Sequence, residues 1–430
     1  MRIALLSGEY PPQPGGVGDY TARLGQALVE RGHDIVVFTI ADGRFQIVDL
    51  AGSNPNLQSA IYNLQSDWGW SSWRAVRAAL EHSRPDILHI QYQTGAYGMH
   101  PAINLLPGQL RRLRRRPRVV VTAHDLLLPY LFPKAGPLRR WVMRRLLADA
   151  DAVVVTNAAD FEQVAGDRQS AIGDRERRSI RPSSIADRLS PILIPIGSNI
   201  AVAPPPGYDR AAWRGHLHVA NDETLVAYFG LISRTKGLDV LLDALGRLPP
   251  NINLLVVGGA ASAAEDRAFA ERIQQQIAAH GLASRVTITG RCPADQVSAH
   301  LLAADLSALP FSDGASFRRG SLLAALAHGL PTVTTRPIEP RIKNGHPQGQ
   351  PRTNESPVGS RFLLPDLEDE ENVLLVPQSD AQALAGAITR LAHDAQLRER
   401  LAQGGRMLAE QFAWPAIAER HEALYVQITS

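Results

Sequence analysis

Cysteine is almost absent: Cys292 is the only one in 430 residues. A single thiol excludes an internal disulfide framework and any zinc site built on paired cysteines. It fits a reducing compartment. Long apolar runs are lacking too, and none approaches the ~20 residues a membrane-spanning helix needs. No cluster of His, Cys and carboxylates has metal-ligand spacing. The pair Asp149 and Asp151 reads instead as a helix end followed by a strand start. The phosphate-loop pattern G-x-x-x-x-G-K-[ST] and the nucleophile elbow G-x-S-x-G do not occur. The dinucleotide fingerprint G-x-G-x-x-G is absent as written, although Gly16-Val17-Gly18 supplies part of it. Charge of one sign is not in large excess either: 45 Lys and Arg stand against 42 Asp and Glu, a net charge of +3. The distribution of charge therefore matters more than its sum.

What is present is the composition of a soluble globular protein, 45% hydrophobic and 20% charged. The length favours two domains over one. The first residues, MRIALLSGEY, carry a charge and a short apolar run as a signal peptide would. They lead into a Pro/Gly loop and a helix rather than a cleavage site, so they read as a first strand. From there buried strands alternate with helices. Strands are expected at 3–7, 35–39, 86–90, 119–122, 153–156 and 192–196. Helices are expected after Gly16, at 73–82, from Leu105 to Arg116 and at 141–148. Ala165–Ser190 is polar and without period. Ala201–Tyr208, with its three consecutive prolines, is the linker candidate. A second alternating series follows, with strands at 225–229, 254–257, 286–289, 306–309, 332–335 and 372–376. Pro337–Asp366 reads as a long surface insertion, and helices from about Asp380 close the chain. Two such series predict an α/β fold of two doubly wound parallel sheets, with ligands bound beyond the carboxyl ends of the strands.

Residues at those ends carry the candidate chemistry. In Leu309–Thr335 a Gly/Ser loop and the pair Arg318 and Arg319 precede a helix that starts near Gly320. Unpaired N–H groups and a partial positive charge at a helix start favour a phosphate. In Phe229–Leu242, Arg234 and Lys236 lie between a strand end and a helix start, where a diphosphate would sit. Pro14–Tyr20, PGGVGDY, is open to two readings, a plain turn or a backbone approach to a phosphate or sugar. His124 follows a buried strand and is either a satisfied structural histidine or a substrate contact. From Arg111 to Arg145 ten arginines and one lysine stand against one acid, Asp125. That segment is either a solvated basic face or one suited to an anionic bilayer surface. No nucleic-acid-binding motif accompanies it.

Several segments together resemble glycosyltransferase family 4. They are GEYPPQPGGVGDYTARLGQALVERGHDIVVFT, PDILHIQY, VVVTAHD, ILIPIGSNI, YFGLISRTKGLDVLLDAL, LLVVGG, RVTITG, ALAHGLPTVTT, ENVLLVPQSDAQALAGAI and the terminal FAWPAIAERHEALY. The resemblance covers nearly the whole chain. It implies the GT-B architecture, two Rossmann-like domains facing across a cleft, with a C-terminal helix crossing back onto the first domain. The corresponding divisions are an acceptor domain over 1–200, a donor domain over 201–412 and a terminal helix over 413–430. It implies transfer of a sugar from a nucleoside diphosphate with retention, without a bound metal or other cofactor. By position Gly16 would approach the donor, His124 would contact the transferred sugar and Lys236 would hold the diphosphate. The family's Arg after the strand glycine is Leu231 here, with Arg234 nearby. Its pair of glutamates falls on Ser316 and Ala324, so both carboxylates are missing. The expectation is a divergent enzyme in which Ser316, Arg318, Arg319 and Gly320 rebuild the donor site. The alternatives are a non-catalytic sugar-nucleotide or glycan binder and a sugar-nucleotide epimerase. The expected partners are a nucleotide-sugar donor, an acceptor of unknown class and an anionic membrane surface through 111–145, with no nucleic acid. The expected location is cytoplasmic, peripheral to the membrane.

Overall fold

The computed structural model describes residues 1–13, 15–41, 44–50, 60–65, 67–126, 136–157, 160–165, 191–259, 264–338 and 365–430. The polar stretch beyond Ala165 and most of the expected insertion at 337–366 lie outside them. The described residues form two compact units, Met1–Ile196 with Trp414–Ser430, and Gly197–Ile338 with Pro365–Ala413.

The first unit holds strands β1 (Arg2–Ser7), β2 (Asp34–Ala41), β3 (Arg44–Asp49), β4 (Ala60–Gln65), β5 (Ile87–Tyr92), β6 (Arg118–Ala123), β7 (Ala152–Val155) and β8 (Ile192–Leu193). Their order in the sheet is β4-β3-β2-β1-β5-β6-β7-β8. β2 through β8 in that order run parallel, while β3 and β4 add an antiparallel edge. A reading built on strict strand–helix alternation passes over β3 and β4. The Asp42-Gly43 pair between β2 and β3 is the local hairpin signal that marks the exception. Helices α1 (Gly16–Glu30), α2 (Ser72–Ser83), α3 (Ala102–Leu110) and α4 (Gly136–Asp149) cover the sheet. α3 ends at Leu110 rather than Arg116. Like-charged arginines at helical spacing repel, and Pro117 disfavours a helical Arg116.

Side chains alternate across the strands. Ala4, Leu6, Val36, Phe38, Leu88 and Ile90 pack with Val76, Leu106 and Leu146 from α2, α3 and α4. Ile3, Leu5, Ile35, Val37 and Ile87 pack with Leu24 and Leu28 of α1 and with Ile417, Leu424 and Tyr425 of the terminal helix Trp414–Thr429. Burying each such aliphatic side chain is worth about 1.5–3 kcal/mol. The terminal helix thus completes the core of the first unit.

The second unit holds α5 (Arg210–His216), β9 (Thr224–Phe229), α6 (Leu238–Leu245), β10 (Ile252–Val257), α7 (Ala264–Ala279), β11 (Val286–Ile288), α8 (Ala294–Ala303), β12 (Leu306–Leu309), α9 (Gly320–Ala327), β13 (Thr332–Thr335), β14 (Leu374–Val376), α10 (Ala381–His393) and α11 (Ala395–Glu410); the terminal helix is α12. The sheet order is β11-β10-β9-β12-β13-β14, all parallel. Chain order reverses between β9 and β12, and in the first unit between β1 and β5. Those are the switch points where open α/β sheets bind ligands.

Candidate functional site

At the switch point of the second unit, two loops meet. After β9 the chain makes a tight turn, Arg234–Lys236, closed by Gly237 at φ 68°. A Cβ on Gly237 would lie 1.9 Å from the carbonyl oxygen of Pro310. Only glycine permits both that backbone and that approach. The close contact sets Lys236 beside the loop that follows β12. Lys236 Nζ lies 5.1 Å from the centre of the Phe311 ring and donates to Ser321 Oγ at 3.3 Å. The Arg319 guanidinium lies 5.0 Å from the same ring and is ion-paired with Asp313. Burial, and then the charge of Arg319, push the Lys236 ammonium down to about 8, while Asp313 acts in the opposite direction. Two cations thus stand against one aromatic ring, one of them ion-paired with Asp313.

The expected donor residues divide accordingly. Lys236 and Arg319 come together. Ser316 accepts a hydrogen bond through its carbonyl from the Arg319 N–H at 3.0 Å, and Gly320 opens α9. The side chains of Arg234 and Arg318 are exposed, as is Leu231. Ala324 is fully buried in α9, so the place of the family's second glutamate is a core position here. Asp313, Phe311 and Ser321 join this centre from outside the expected donor residues. Asp313 stands six residues before Arg319, and only the turn of the loop makes them partners.

In the first unit, α1 begins at Gly16, where a Cβ would meet nothing within 4 Å. The start of α1, where PGGVGDY leaves open a plain turn or a ligand approach, has a partner within the chain. Glu9 already caps it: its Oε1 accepts from the N–H groups of Val17 at 3.0 Å and Gly18 at 3.3 Å. A carboxylate is the ordinary partner of a helix start.

His124 follows β6, and its backbone N–H extends the ladder to the carbonyl of Tyr92 at 2.8 Å. Its Nε2 is 3.0 Å from Gln91 Oε1. The ring meets Tyr20 edge-on at 4.7 Å, and Tyr20 meets Trp414 at 5.2 Å. Burial, and then His421, push His124 down to about 3, so the imidazole is neutral at physiological pH. Beneath it lies a buried network. His89 Nδ1 is 2.6 Å from Tyr425 Oη, and His89 Nε2 is 2.7 Å from Thr122 Oγ1. His421 Nδ1 donates to the Ile417 carbonyl at 2.9 Å. Burial holds His89 well below its ordinary value and His421 at about 4. His89 and Thr122 belong to strands, while His421 and Tyr425 come from α12.

The basic segment is less charged than its sequence count. Arg111 and Arg145 pair with Asp149, and Arg116 and Arg118 with Asp151. Both acids stand just past the counted stretch. On α4, Leu138 and Trp141 are about half exposed beside the exposed Arg140 and Arg144. Among the described residues no helix is long and apolar enough to cross a membrane, and no group of His, Cys, Asp or Glu is arranged to hold a metal.

The two Rossmann-like units, each built on a mainly parallel sheet, have their counterparts among solved glycosyltransferases. Sucrose-phosphate synthase from Thermosynechococcus elongatus superposes with a TM-score of 0.63 at 24% identity, over 99% of this chain and 98% of that one. HepE of Anabaena, in complex with UDP, superposes with a TM-score of 0.63 at 19% identity, over 99% and 100%. The architecture is therefore GT-B, the fold of a large class of glycosyltransferases. The glycosyl transferase 4-like domain matches residues 15–178, and the glycosyl transferases group 1 domain matches residues 223–349. D-inositol 3-phosphate glycosyltransferase of Xylanimonas cellulosilytica is 26% identical across 100% of this chain and 97% of its own length. The chain belongs to the group 1 glycosyltransferases of family 4, and it is a glycosyltransferase.

Proposed function

We propose that the chain transfers a sugar from a nucleoside-diphosphate donor, with retention and without a metal ion, and that the second unit binds the donor diphosphate. The observation that carries this reading is the convergence of Lys236 and Arg319 on Phe311 at the β9/β12 switch point. Two fixed cations supply the charge that a divalent ion supplies elsewhere to a leaving diphosphate. Ser321 adds a hydroxyl beside Lys236. Arg318, Arg234, Ser316 and Gly320 flank this centre. In the first unit His124 contacts the sugar, and Gly16 lies where Glu9 must yield before an anion can approach the start of α1. The complex of HepE with UDP supports a nucleotide as ligand of this fold.

The test is turnover of a panel of UDP-, GDP- and ADP-sugars, with and without EDTA, followed by NMR of the released or transferred anomer. Retained configuration in the presence of EDTA is expected. Inversion, or activity abolished by EDTA and restored by a divalent ion, refutes the mechanism. Binding without turnover of any donor refutes transfer from a nucleoside diphosphate.

A second observation concerns location. The exposed Leu138, Arg140, Trp141 and Arg144 of α4 combine apolar and cationic groups on one helix, as an interfacial helix does. They support attachment to an anionic membrane surface, and the single cysteine, Cys292, supports the cytoplasm as the compartment. Co-flotation with vesicles containing phosphatidylserine, lost in Trp141→Ser with Arg140→Ser, is expected. Equal flotation with neutral vesicles would remove the electrostatic part.

A further inference from the structure

We propose that Gln91 is a positioning residue for His124: it holds the imidazole in one neutral tautomer, with the proton on Nε2 and Nδ1 left as a bare acceptor. The inference rests on the reading of His124 as a substrate contact.

Gln91 lies on β5, where every residue from Ile87 to Tyr92 is buried. It is fully buried itself. Among the described residues its side chain makes one hydrogen bond, through Oε1 to His124 Nε2 at 3.0 Å. Among the described residues its Nε2 is buried without a partner. An unpaired buried donor destabilises the fold. A methionine of similar length would fill the position without that penalty, so packing does not account for a glutamine here. What the amide provides is a fixed acceptor for one ring nitrogen. A carbonyl oxygen accepts only, so the ring nitrogen facing it carries the hydrogen. Nδ1 makes no hydrogen bond among the described residues.

The groups around the ring keep it uncharged. Tyr20 of α1 meets it edge-on, and His421 of α12 opposes its protonation. His89 of β5 is turned to Thr122 and Tyr425. Asp125, next in the chain, accepts from the backbone and hydroxyl of Thr94. Gln91 is thus the hydrogen-bond partner that sets the ring. A neutral imidazole with bare Nδ1 accepts a hydrogen bond from a substrate hydroxyl and delivers no proton. His124 therefore orients the sugar rather than acting as a general acid.

The experiment is ¹⁵N NMR of histidine-labelled full-length protein between pH 5 and 9, paired with the pH profile of kcat/KM. In the wild type the His124 ring is expected as the Nε2–H tautomer throughout, without titrating. In Gln91→Glu a carboxylate faces Nε2–H and stabilises the imidazolium. The ring then titrates within the range, and kcat/KM acquires a limb at the same pH. In Gln91→Met the ring samples both tautomers, and kcat/KM falls roughly tenfold, the effect of one lost oriented hydrogen bond, with no new limb. A wild-type Nδ1–H tautomer, or a Gln91→Glu ring that still does not titrate, overturns the proposal. Where the ring responds as expected but turnover does not follow, and His124→Ala turns over like wild type, the hold of Gln91 on the ring stands. The assignment of His124 to the substrate site then falls.

Discussion

Raising the pH should release the nucleotide earlier than an ordinary lysine would allow. Burial and Arg319 bring the free Lys236 ammonium down to about 8. A terminal phosphate has lost its second proton well below that pH, so the ligand does not titrate in the same window. If only the protonated ammonium holds the diphosphate, the fraction competent falls to about one tenth one unit above the midpoint. That is roughly tenfold in affinity, or about 1.4 kcal/mol. Isothermal titration of UDP and GDP from pH 6.5 to 9.5 measures it. The dissociation constant should be flat below pH 7 and should rise about tenfold per unit beyond the midpoint. Lys236→Ala should weaken binding by about 1.5–3 kcal/mol, the worth of a charge-assisted hydrogen bond, and should remove the pH dependence. Asp313→Asn should move the midpoint toward acid, because Asp313 is what raises the Lys236 value. A flat wild-type profile to pH 9.5, or a pH limb that survives in Lys236→Ala, would refute the assignment.

Gly237→Ala forces a side chain onto a φ of 68° and into the Pro310 carbonyl. A loss of about 1–3 kcal/mol in urea unfolding of the second unit is expected, with weaker UDP binding; unchanged values of both would show that the turn yields freely. The buried histidines His89, His124 and His421 all have folded values below the ordinary one. Their contribution to stability is complete above pH 6.5 and is lost as pH falls from there toward the folded values, about 4 for His421 and about 3 for His124. The slope is up to about 1.4 kcal/mol per unit for each. Urea midpoints followed by tryptophan fluorescence should drop between pH 7 and 5, and equal midpoints would contradict the buried cluster. Tyr425→Phe deletes the partner of His89 Nδ1. It should cost about 1–3 kcal/mol and loosen α12, read as faster amide exchange in residues 414–429.

Much of the architecture is written locally. A short apolar run followed by a Gly-rich loop and an amphipathic helix carries its own period, so both α/β series are legible one element at a time. The GT-B architecture and the glycosyltransferase family come instead from resemblance, carried by segments such as YFGLISRTKGLDVLLDAL and ALAHGLPTVTT. Gly237, Lys236 and the helix start at Gly320 announce themselves locally, since each belongs to a turn whose signal spans a few residues. Partners distant along the chain leave no such mark. Tyr425 reaches His89 across 336 positions, and Arg319 meets Lys236 only because Gly237 lets two loops touch. Glu9 occupies the start of α1, and Asp149 and Asp151 draw arginines from the run that looked uniformly basic. Arg318 and Arg319 are adjacent in sequence, yet one is exposed and the other sits against Phe311. Periodicity sets which face of an element is apolar, and that much the amino-acid sequence determines alone. Which polar group ends up facing which, and hence the charge and tautomer of Lys236 and His124, depends on long-range packing and the desolvation it imposes, and so belongs to the tertiary structure.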